Sequence, residues 1–192
     1  MREDNQLNAI GDSLKRLGLD YVDLYLIHWP VVGKYVESWK KMEEIYKGGK
    51  AKAVGVSNFN IHHIEDVLAA SDLVPAVNQY ECSPELTMVE LADYCKQNGI
   101  QFEPWAPLGK GSTLKLPEIT AMAEKYKKTP AQIILRWGLQ RGFFNIPKSV
   151  KKPRIEGNSK IFDFKLEDAD FKALFALKKN KRYGPDPETF DF

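Results

Sequence analysis

Cysteine, an excess of one charge and long apolar runs are what this sequence has least of. The 192 residues include two cysteines, Cys82 and Cys95, with no CxxC spacing and no further cysteine partner. That pattern fits neither a zinc site nor a disulfide framework, and it predicts reduced core thiols in a cytoplasmic protein. Lys and Arg number 28 against 26 Asp and Glu, for a net charge of +2. We therefore expect no nucleic-acid or membrane partner, and any anion site must be local.

No apolar run approaches the ~20 residues that a membrane-spanning helix needs. The first residues, MREDNQ, are charged rather than signal-like, so we expect a soluble protein that is not exported. Hydrophobic residues make up 43% of the chain and charged residues 28%, which is usual for a globular protein with a core. The length suits one domain over 1–192, with a proline-containing irregular tail over 183–192.

Short β-branched and aromatic runs alternate with helical periodicities along the chain. The predicted strands are 21–28, 51–57, 75–81, 100–106 and 143–149. The predicted helices are 5–17, 38–47, 61–70, 85–97, 117–127, 130–140 and 166–179, with caps expected at Asp4, Asn60, Ser83 and Thr129. Strands separated by helices imply a parallel sheet, because a parallel return needs a crossover of a dozen or more residues.

This alternation leaves two architectures, an open doubly wound sheet and a (β/α)8 barrel. Neither GxGxxG nor GxxxxGK[ST] follows a strand, so the first turn that cradles phosphate in open-sheet nucleotide folds is missing. Polar and aromatic side chains instead follow several strands, where a barrel places its active site: His28, Ser57, Asn58, Gln79, Glu81, Trp105, Lys148 and Ser149. The series begins with a helix and holds five units rather than eight. We expect an α/β fold of the (β/α)8 TIM-barrel type, incomplete with about five parallel strands and truncated at its N-terminal side.

Two features of the pattern have a structural as well as a functional interpretation. Imidazole and indole N–H groups at a strand end need partners, so His28 is either a satisfied structural histidine or a residue that faces substrate. The cluster of Lys148, Lys151, Lys152 and Arg154 is either a solvated charge cluster or a clamp for a phosphate dianion. A later basic run, 178–182, is expected to complement the dipole of the last helix at its C-terminus.

Five segments resemble the aldo-keto reductase family in their order and spacing. They are LGLDYVDLYLIHWP (17–30), KAVGVSNF (52–59), PAVNQYECSPEL (75–86), PWAPLGKG (104–111) and IPKSV (146–150). The resemblance implies a (β/α)8 barrel that reduces aldehydes or ketones, and hence a small carbonyl substrate. It also implies NADPH as the cofactor, and no metal.

By this resemblance, His28 is the active-site histidine that orients the substrate carbonyl and assists proton donation, and Trp29 is a wall of the substrate pocket. Three residues match positions that hydrogen-bond the nicotinamide carboxamide: Ser57, Asn58 and Gln79. Trp105 takes the place of an aromatic residue, usually tyrosine, that stacks on the nicotinamide. The other cofactor-binding candidates, which include the clamp for the adenosine 2′-phosphate, are Pro107, Leu108, Lys148, Ser149, Val150, Arg154 and Asn158.

Three positions depart from the family's pattern. Gly157 stands where a glutamate that contacts adenine is common, with Glu156 one step away, so one adenine contact is expected to be lost. Ala106 replaces a frequent serine of the turn after the strand, and Lys110 adds a charge to the same turn.

The family's proton donor is a tyrosine activated by a lysine and an aspartate, and of this tetrad only His28 is matched here. Tyr35 lies in the loop after the His28 strand and could face the pocket, but the resemblance implies that the neighbouring position covers the substrate rather than acting as an acid. Tyr25 is expected in the core. Two hypotheses follow. One is an NADPH-dependent aldo-keto reductase, impaired or inactive as a truncated chain. The other is a non-catalytic NADPH-binding or interaction protein of the same fold. In either case exposed sheet edges favour self-association, and the tail offers Phe190 and Phe192 as pocket walls.

Overall fold

The structure, a computed structural model, describes residues 6–190 of the chain. Its strands are Val22–Ile27 (β1), Ala51–Ser57 (β2), Val77–Glu81 (β3) and Gln101–Trp105 (β4). Its α-helices are Gln6–Leu17 (α1), Tyr35–Lys47 (α2), Ile61–Ala70 (α3), Val89–Gln97 (α4), Pro117–Tyr126 (α5), Pro130–Gln140 (α6), Lys152–Ser159 (α7) and Asp168–Ala173 (α8). Short 3-10 helices lie at Gly109–Gly111, Thr113–Lys115 and Leu174–Leu177.

The described strands form one sheet in the order β1-β2-β3-β4, and they do not close into a barrel. β2 runs parallel to both of its neighbours, with Leu26 opposite Gly55 and Ser57 opposite Gln79. Glycine is required at position 55, since a Cβ there would lie 2.6 Å from the carbonyl oxygen of Val77. The predicted α/β class with an incomplete parallel sheet is therefore confirmed.

The segment predicted as a fifth strand, 143–149, is not a strand. Phe144 N and Ile146 N donate to the carbonyl oxygens of Phe102 and Pro104, at 3.4 and 3.3 Å. In a regular parallel ladder, the N–H of residue 104 would donate to the carbonyl oxygen of Phe144, between these two hydrogen bonds. Because Pro104 has no N–H, the segment follows β4 with hydrogen bonds in one direction only.

The prediction that a helix begins near residue 85 is wrong. α4 begins at Val89, and before it Ser83 and Leu86 exchange backbone hydrogen bonds of 3.0 and 2.9 Å in a tight turn. Glu85 lies in this turn with a buried side chain that accepts a hydrogen bond from the Tyr183 hydroxyl. The Ser-Pro-Glu sequence suits the first turn of a helix, but the tertiary partner of the carboxylate overrides that local preference.

Two of the predicted helix caps are present. Thr129 caps α6, where its hydroxyl accepts from Gln132 N at 3.3 Å and its own N–H donates to the Gln132 side chain at 2.9 Å. Asn60 caps α3 and donates its N–H to His63 Nδ1 at 3.1 Å. The expected cap at Asp4 lies outside the described residues.

The described chain falls into two compact units, each with its own core. Unit one comprises 6–79, 91–101 and 186–190, and unit two comprises 80–90 and 102–185. In unit one, α2 packs against α1, α3 and β2 and buries Trp39, Met42 and Ile45. In unit two, α5, α6 and the residues after them share an apolar core of Ile119, Met122, Ala123, Ile133, Ile134, Trp137, Leu166 and Leu174. Within residues 6–190, no helix combines the length and the apolar character needed to cross a membrane.

Candidate functional site

In unit one, the carboxyl ends of β1, β2 and β3 are tied together by two neighbouring polar residues. Asn58 Nδ2 donates to the carbonyl oxygen of His28 at 3.0 Å and to Ser57 Oγ at 3.1 Å. Ser57 Oγ and Asn58 N both donate to the carbonyl oxygen of Gln79, at 2.9 Å each. Asn58 has a φ of 63°, in the left-handed region that asparagine tolerates better than most residues.

These bonds change what Ser57 and Asn58 can offer a ligand. Their exposed fractions are 1% and 2%, and the hydroxyl hydrogen of Ser57 and both amide hydrogens of Asn58 are used inside the protein. Gln79, by contrast, is half-buried. Contact of all three side chains with a nicotinamide stays a prediction, and Ser57 and Asn58 have a structural role at the strand ends in any case.

His28 and Trp29 follow β1 directly and differ in exposure. His28 is exposed, and its ring centroid lies 6.1 Å from that of the buried Trp29. Trp29 packs on Phe190 of the tail, with ring centroids 4.6 Å apart. The two pocket-wall candidates Trp29 and Phe190 are therefore in contact, whereas Phe192 lies outside the described residues.

Tyr35 is held by a carboxylate and does not suit the role of proton donor. Its hydroxyl donates to a carboxylate oxygen of Asp66, and its ring meets the His63 ring edge-on at 5.0 Å. Burial, together with the hydrogen bond to Asp66, raises the pKa of Tyr35 to about 12. A phenol with so high a pKa is a poor acid at neutral pH. Burial also raises the pKa of Tyr25, within β1.

Unit two contains a cavity of about 1130 Å³. Six of the predicted cofactor residues are among those that line it: Pro107, Leu108, Lys148, Ser149, Arg154 and Asn158. Its remaining lining residues are Ala106, Lys110, Gly111, Ser112, Leu114, Lys115, Thr129, Pro130, Ala131, Ile146, Pro147, Pro153 and Gly157. The predicted residues Trp105 and Val150 are not among the described lining residues, and Val150 is 81% exposed.

The charged residues among the described lining of the cavity all have the same sign. Of the described residues that line it, four are basic, Lys110, Lys115, Lys148 and Arg154, and none is acidic. Ser149 Oγ accepts a hydrogen bond from Lys151 N at 3.1 Å, which shapes the turn that leads into α7. A cavity whose charged lining residues are all cationic favours a ligand with several negative charges.

Trp105 ends β4 half-buried, and its indole lies close to Gly184, where a Cβ would collide with it. Glu81 fixes this stretch, since its carboxylate accepts from Tyr183 N at 2.6 Å and from Gly184 N at 3.1 Å. The sequence pattern did not indicate this use of Glu81. The signal available was a glutamate at a buried strand end, which requires a partner.

The expectation for the basic run 178–182 is wrong. α8 ends at Ala173, and the 3-10 helix that follows it ends at Leu177. The observed helical segment is therefore shorter than the predicted 166–179, and the basic run lies beyond its end. Lys179 Nζ reaches Glu85 Oε1 at 3.3 Å, and the backbone N–H groups of Lys179 and Lys181 donate to the Glu85 carbonyl oxygen. The backbone carbonyl and the carboxylate of Glu85 therefore decide the course of this run, rather than the dipole of a short helix.

Comparison with known proteins assigns the chain to a family. The sequence profile of the Aldo/keto reductase family matches residues 1–179. The chain is 50% identical to a glyoxal reductase of Bacillus subtilis (strain 168) over 98% of this chain and 68% of that protein. It is 43% identical to methylglyoxal reductase DkgA of Escherichia coli (strain K12) over 95% of this chain and 68% of that protein. The chain belongs to the aldo-keto reductase family, as its motifs predicted.

Solved structures agree with this assignment. A mutant of Gox0644 in complex with NADPH matches with a TM-score of 0.94 and 42% identity, over 98% of this chain and 71% of that one. An aldo-keto reductase of the silkworm Bombyx mori in complex with NADP matches with a TM-score of 0.85 and 38% identity, over 91% of this chain and 63% of that one. In the described part of this chain, no group of three or more His, Cys, Asp or Glu side chains could hold a metal ion.

Proposed function

We propose that the chain binds NADPH through the cavity of unit two and takes part in the reduction of small aldehydes and ketones. The cavity carries this proposal, because its described lining has four cationic side chains and no carboxylate. NADPH has a diphosphate and a 2′-phosphate, which suit such a lining. Lys148, Ser149 and Arg154 would hold the 2′-phosphate, and Asn158 the adenine. The relatives crystallised with NADPH or NADP support this choice of cofactor.

NADPH, when bound, supplies a hydride to the substrate carbonyl. His28 is exposed at the end of β1, so its imidazole is available to a carbonyl oxygen and would orient it. Trp29, packed on Phe190, would form an apolar wall beside it. Two relatives are named for the reduction of glyoxal and methylglyoxal, which are small dicarbonyl compounds, and we propose substrates of this class for the chain.

Turnover by this chain alone is expected to be slow. Proton transfer to the developing alkoxide needs an acid of suitable pKa within reach. Among the described residues, only His28 matches the family's tetrad. Tyr35 is a poor acid because Asp66 binds its hydroxyl and its pKa is raised to about 12.

The second candidate is a non-catalytic NADPH-binding protein, and the engagement of Tyr35 by Asp66 favours it. Self-association through an edge of the sheet belongs to this proposal, since β1 is the first strand in the sheet order and carries the exposed Leu24. The cytoplasmic location expected from the sequence stays a prediction, and the two buried, unpaired cysteines support it.

The decisive experiment compares NADPH with NADH, which differ by the 2′-phosphate. Arg154→Ala should weaken NADPH binding about tenfold, because a charge-assisted hydrogen bond contributes about 1.5–3 kcal/mol and 1.4 kcal/mol corresponds to tenfold. NADH binding should change little. Arg16→Ala, on the exposed side of α1, is the matched control. Fluorescence titration of both nucleotides measures the effect.

Equal losses of NADPH and NADH affinity in Arg154→Ala would refute the 2′-phosphate assignment. Oxidation of NADPH with methylglyoxal then separates the two candidates. Turnover that His28→Ala abolishes supports the reductase, and binding without turnover supports the non-catalytic protein.

A further inference from the structure

Two buried carboxylates of unit two, those of Glu81 and Glu85, accept hydrogen bonds from Tyr183. Glu81 is 1% exposed and accepts the bond from Tyr183 N at 2.6 Å. Glu85 is 2% exposed, and its Oε2 accepts from the Tyr183 hydroxyl at 2.7 Å. The backbone and the side chain of Tyr183 thus each donate to a carboxylate, and such charge-assisted hydrogen bonds are the stronger class.

Tyr183 in turn contacts the wall of the cavity. Lys110 Nζ donates to the Tyr183 carbonyl oxygen at 2.7 Å, and the hydroxyl of Ser112 is hydrogen-bonded to the Tyr183 hydroxyl. The Ser112 hydroxyl also donates to the carbonyl oxygen of Gly109 at 3.0 Å, so Ser112 links Tyr183 to the wall. Lys110 and Ser112 line the cavity, whereas the described lining residues do not include Tyr183 or Glu85.

This part of the wall needs support because its backbone is strained. Ala106 and Lys110 both have a φ of 49°, in the left-handed region that residues with a Cβ adopt at a cost. Strained conformations of this kind persist only when surrounding contacts hold them. Thr113 Oγ1, at the far end of the segment, donates to Glu85 Oε2 at 3.3 Å, so the same carboxylate also holds that end.

We propose that Tyr183 and Glu85 are positioning residues that brace segment 106–113 as a wall of the cavity and thereby set how long a dinucleotide stays bound. The retention of the ligand rests on the proposed function, whereas the bracing of the wall does not. The charge-assisted hydrogen bond from Tyr183 requires an ionised Glu85, and Glu85 is ionised at neutral pH. Burial raises the pKa of Glu85, but the hydrogen bonds from Tyr183 and Lys179 outweigh it and keep the pKa below its usual value.

Tyr183→Phe is the test, and Tyr126→Phe is its matched control. Tyr126 also donates its hydroxyl to a carboxylate of unit two, that of Asp170, but it is not among the described residues that line the cavity. Hydrogen exchange followed by mass spectrometry reports on segment 106–113 in the cofactor-free protein, and stopped-flow fluorescence gives the NADPH dissociation rate.

We expect Tyr183→Phe to speed exchange in 106–113 about tenfold and to speed NADPH release severalfold, as loss of a hydrogen bond to a charged group implies. Glu85→Gln should fall between Tyr183→Phe and the wild type, because the amide oxygen still accepts a weaker bond. Tyr126→Phe should change neither quantity.

Identical exchange in Tyr183→Phe and Tyr126→Phe would overturn the brace. Faster exchange with an unchanged release rate would overturn its role in retention. If the wild type does not bind NADPH, the proposed function fails and the retention role with it, while faster exchange in Tyr183→Phe would still establish the brace.

Discussion

Gly55→Ala tests how closely the strands of unit one approach one another. The added Cβ would lie 2.6 Å from Val77 O, 3.1 Å from Val77 N and 2.9 Å from Leu26 Cδ2. The Leu26 side chain can rotate away, but the Val77 atoms are backbone, so β2 and β3 must separate by several tenths of an ångström. That separation also lengthens the hydrogen bond from Ala76 N to Val54 O, which is 2.9 Å.

Two opposing free-energy contributions give the size of the effect. Overpacking a tight interior costs about 1–3 kcal/mol, whereas alanine restricts the unfolded chain more than glycine and gains about 0.5–1 kcal/mol. The net loss of unfolding free energy is therefore about 1–2 kcal/mol. For a chain of this size the loss lowers Tm by roughly 2–8 °C.

Thermal and urea unfolding followed by circular dichroism measure this loss. Gly11→Ala is the matched control, because Gly11 lies inside α1 and a Cβ there meets nothing within 4 Å. That substitution should raise stability by about 0.5–1 kcal/mol through helix propensity. A Gly55→Ala protein that unfolds at or above the wild-type temperature would refute the close approach of the strands.

Two further predictions concern unit one. Burial, together with the nearby His62, lowers the pKa of His63 to about 4, against ~6.5 for an exposed histidine. The unfolded chain therefore binds the proton more readily, so stability should be complete above about pH 6.5 and fall by about 1–3 kcal/mol toward pH 4. His63→Gln should remove this slope in urea unfolding, and an unchanged slope would contradict the assignment. Asn58→Ala should destabilise the cofactor-free protein by about 2–4 kcal/mol, because alanine disfavours the φ of 63° at this position and loses the hydrogen bond to the carbonyl oxygen of His28. Asn58→Gly should recover the backbone part, and equal unfolding midpoints for these two variants would count against strain.

Much of the fold follows from local chemistry. The apolar periodicity around Trp39 and Met42 predicts α2, and the Thr129-Pro130 pair predicts where α6 begins, because cap and proline act within one turn. The errors occur where a distant residue decides. Glu85 is drawn into a turn by Tyr183, and Pro104 leaves the segment after α6 hydrogen-bonded in one direction only.

The candidate site divides in the same way. The motifs identify Lys148, Ser149 and Arg154, and these residues line one cavity. They do not reveal that Ser57 and Asn58 use their hydrogens within the protein, since this depends on the carbonyl oxygens of His28 and Gln79 on other strands.

The sequence by itself determined the family, the alternation of strands and helices, and the residue types of an anion site. These properties depend on short-range pattern and on motifs whose spacing is specific. The tertiary structure decided which polar groups already have partners, which segment pairs with β4, and how Tyr183 supports the cavity wall. Those features depend on buried carboxylates and backbone groups that must find hydrogen-bond partners far away in sequence, and no local pattern specifies which partner that is.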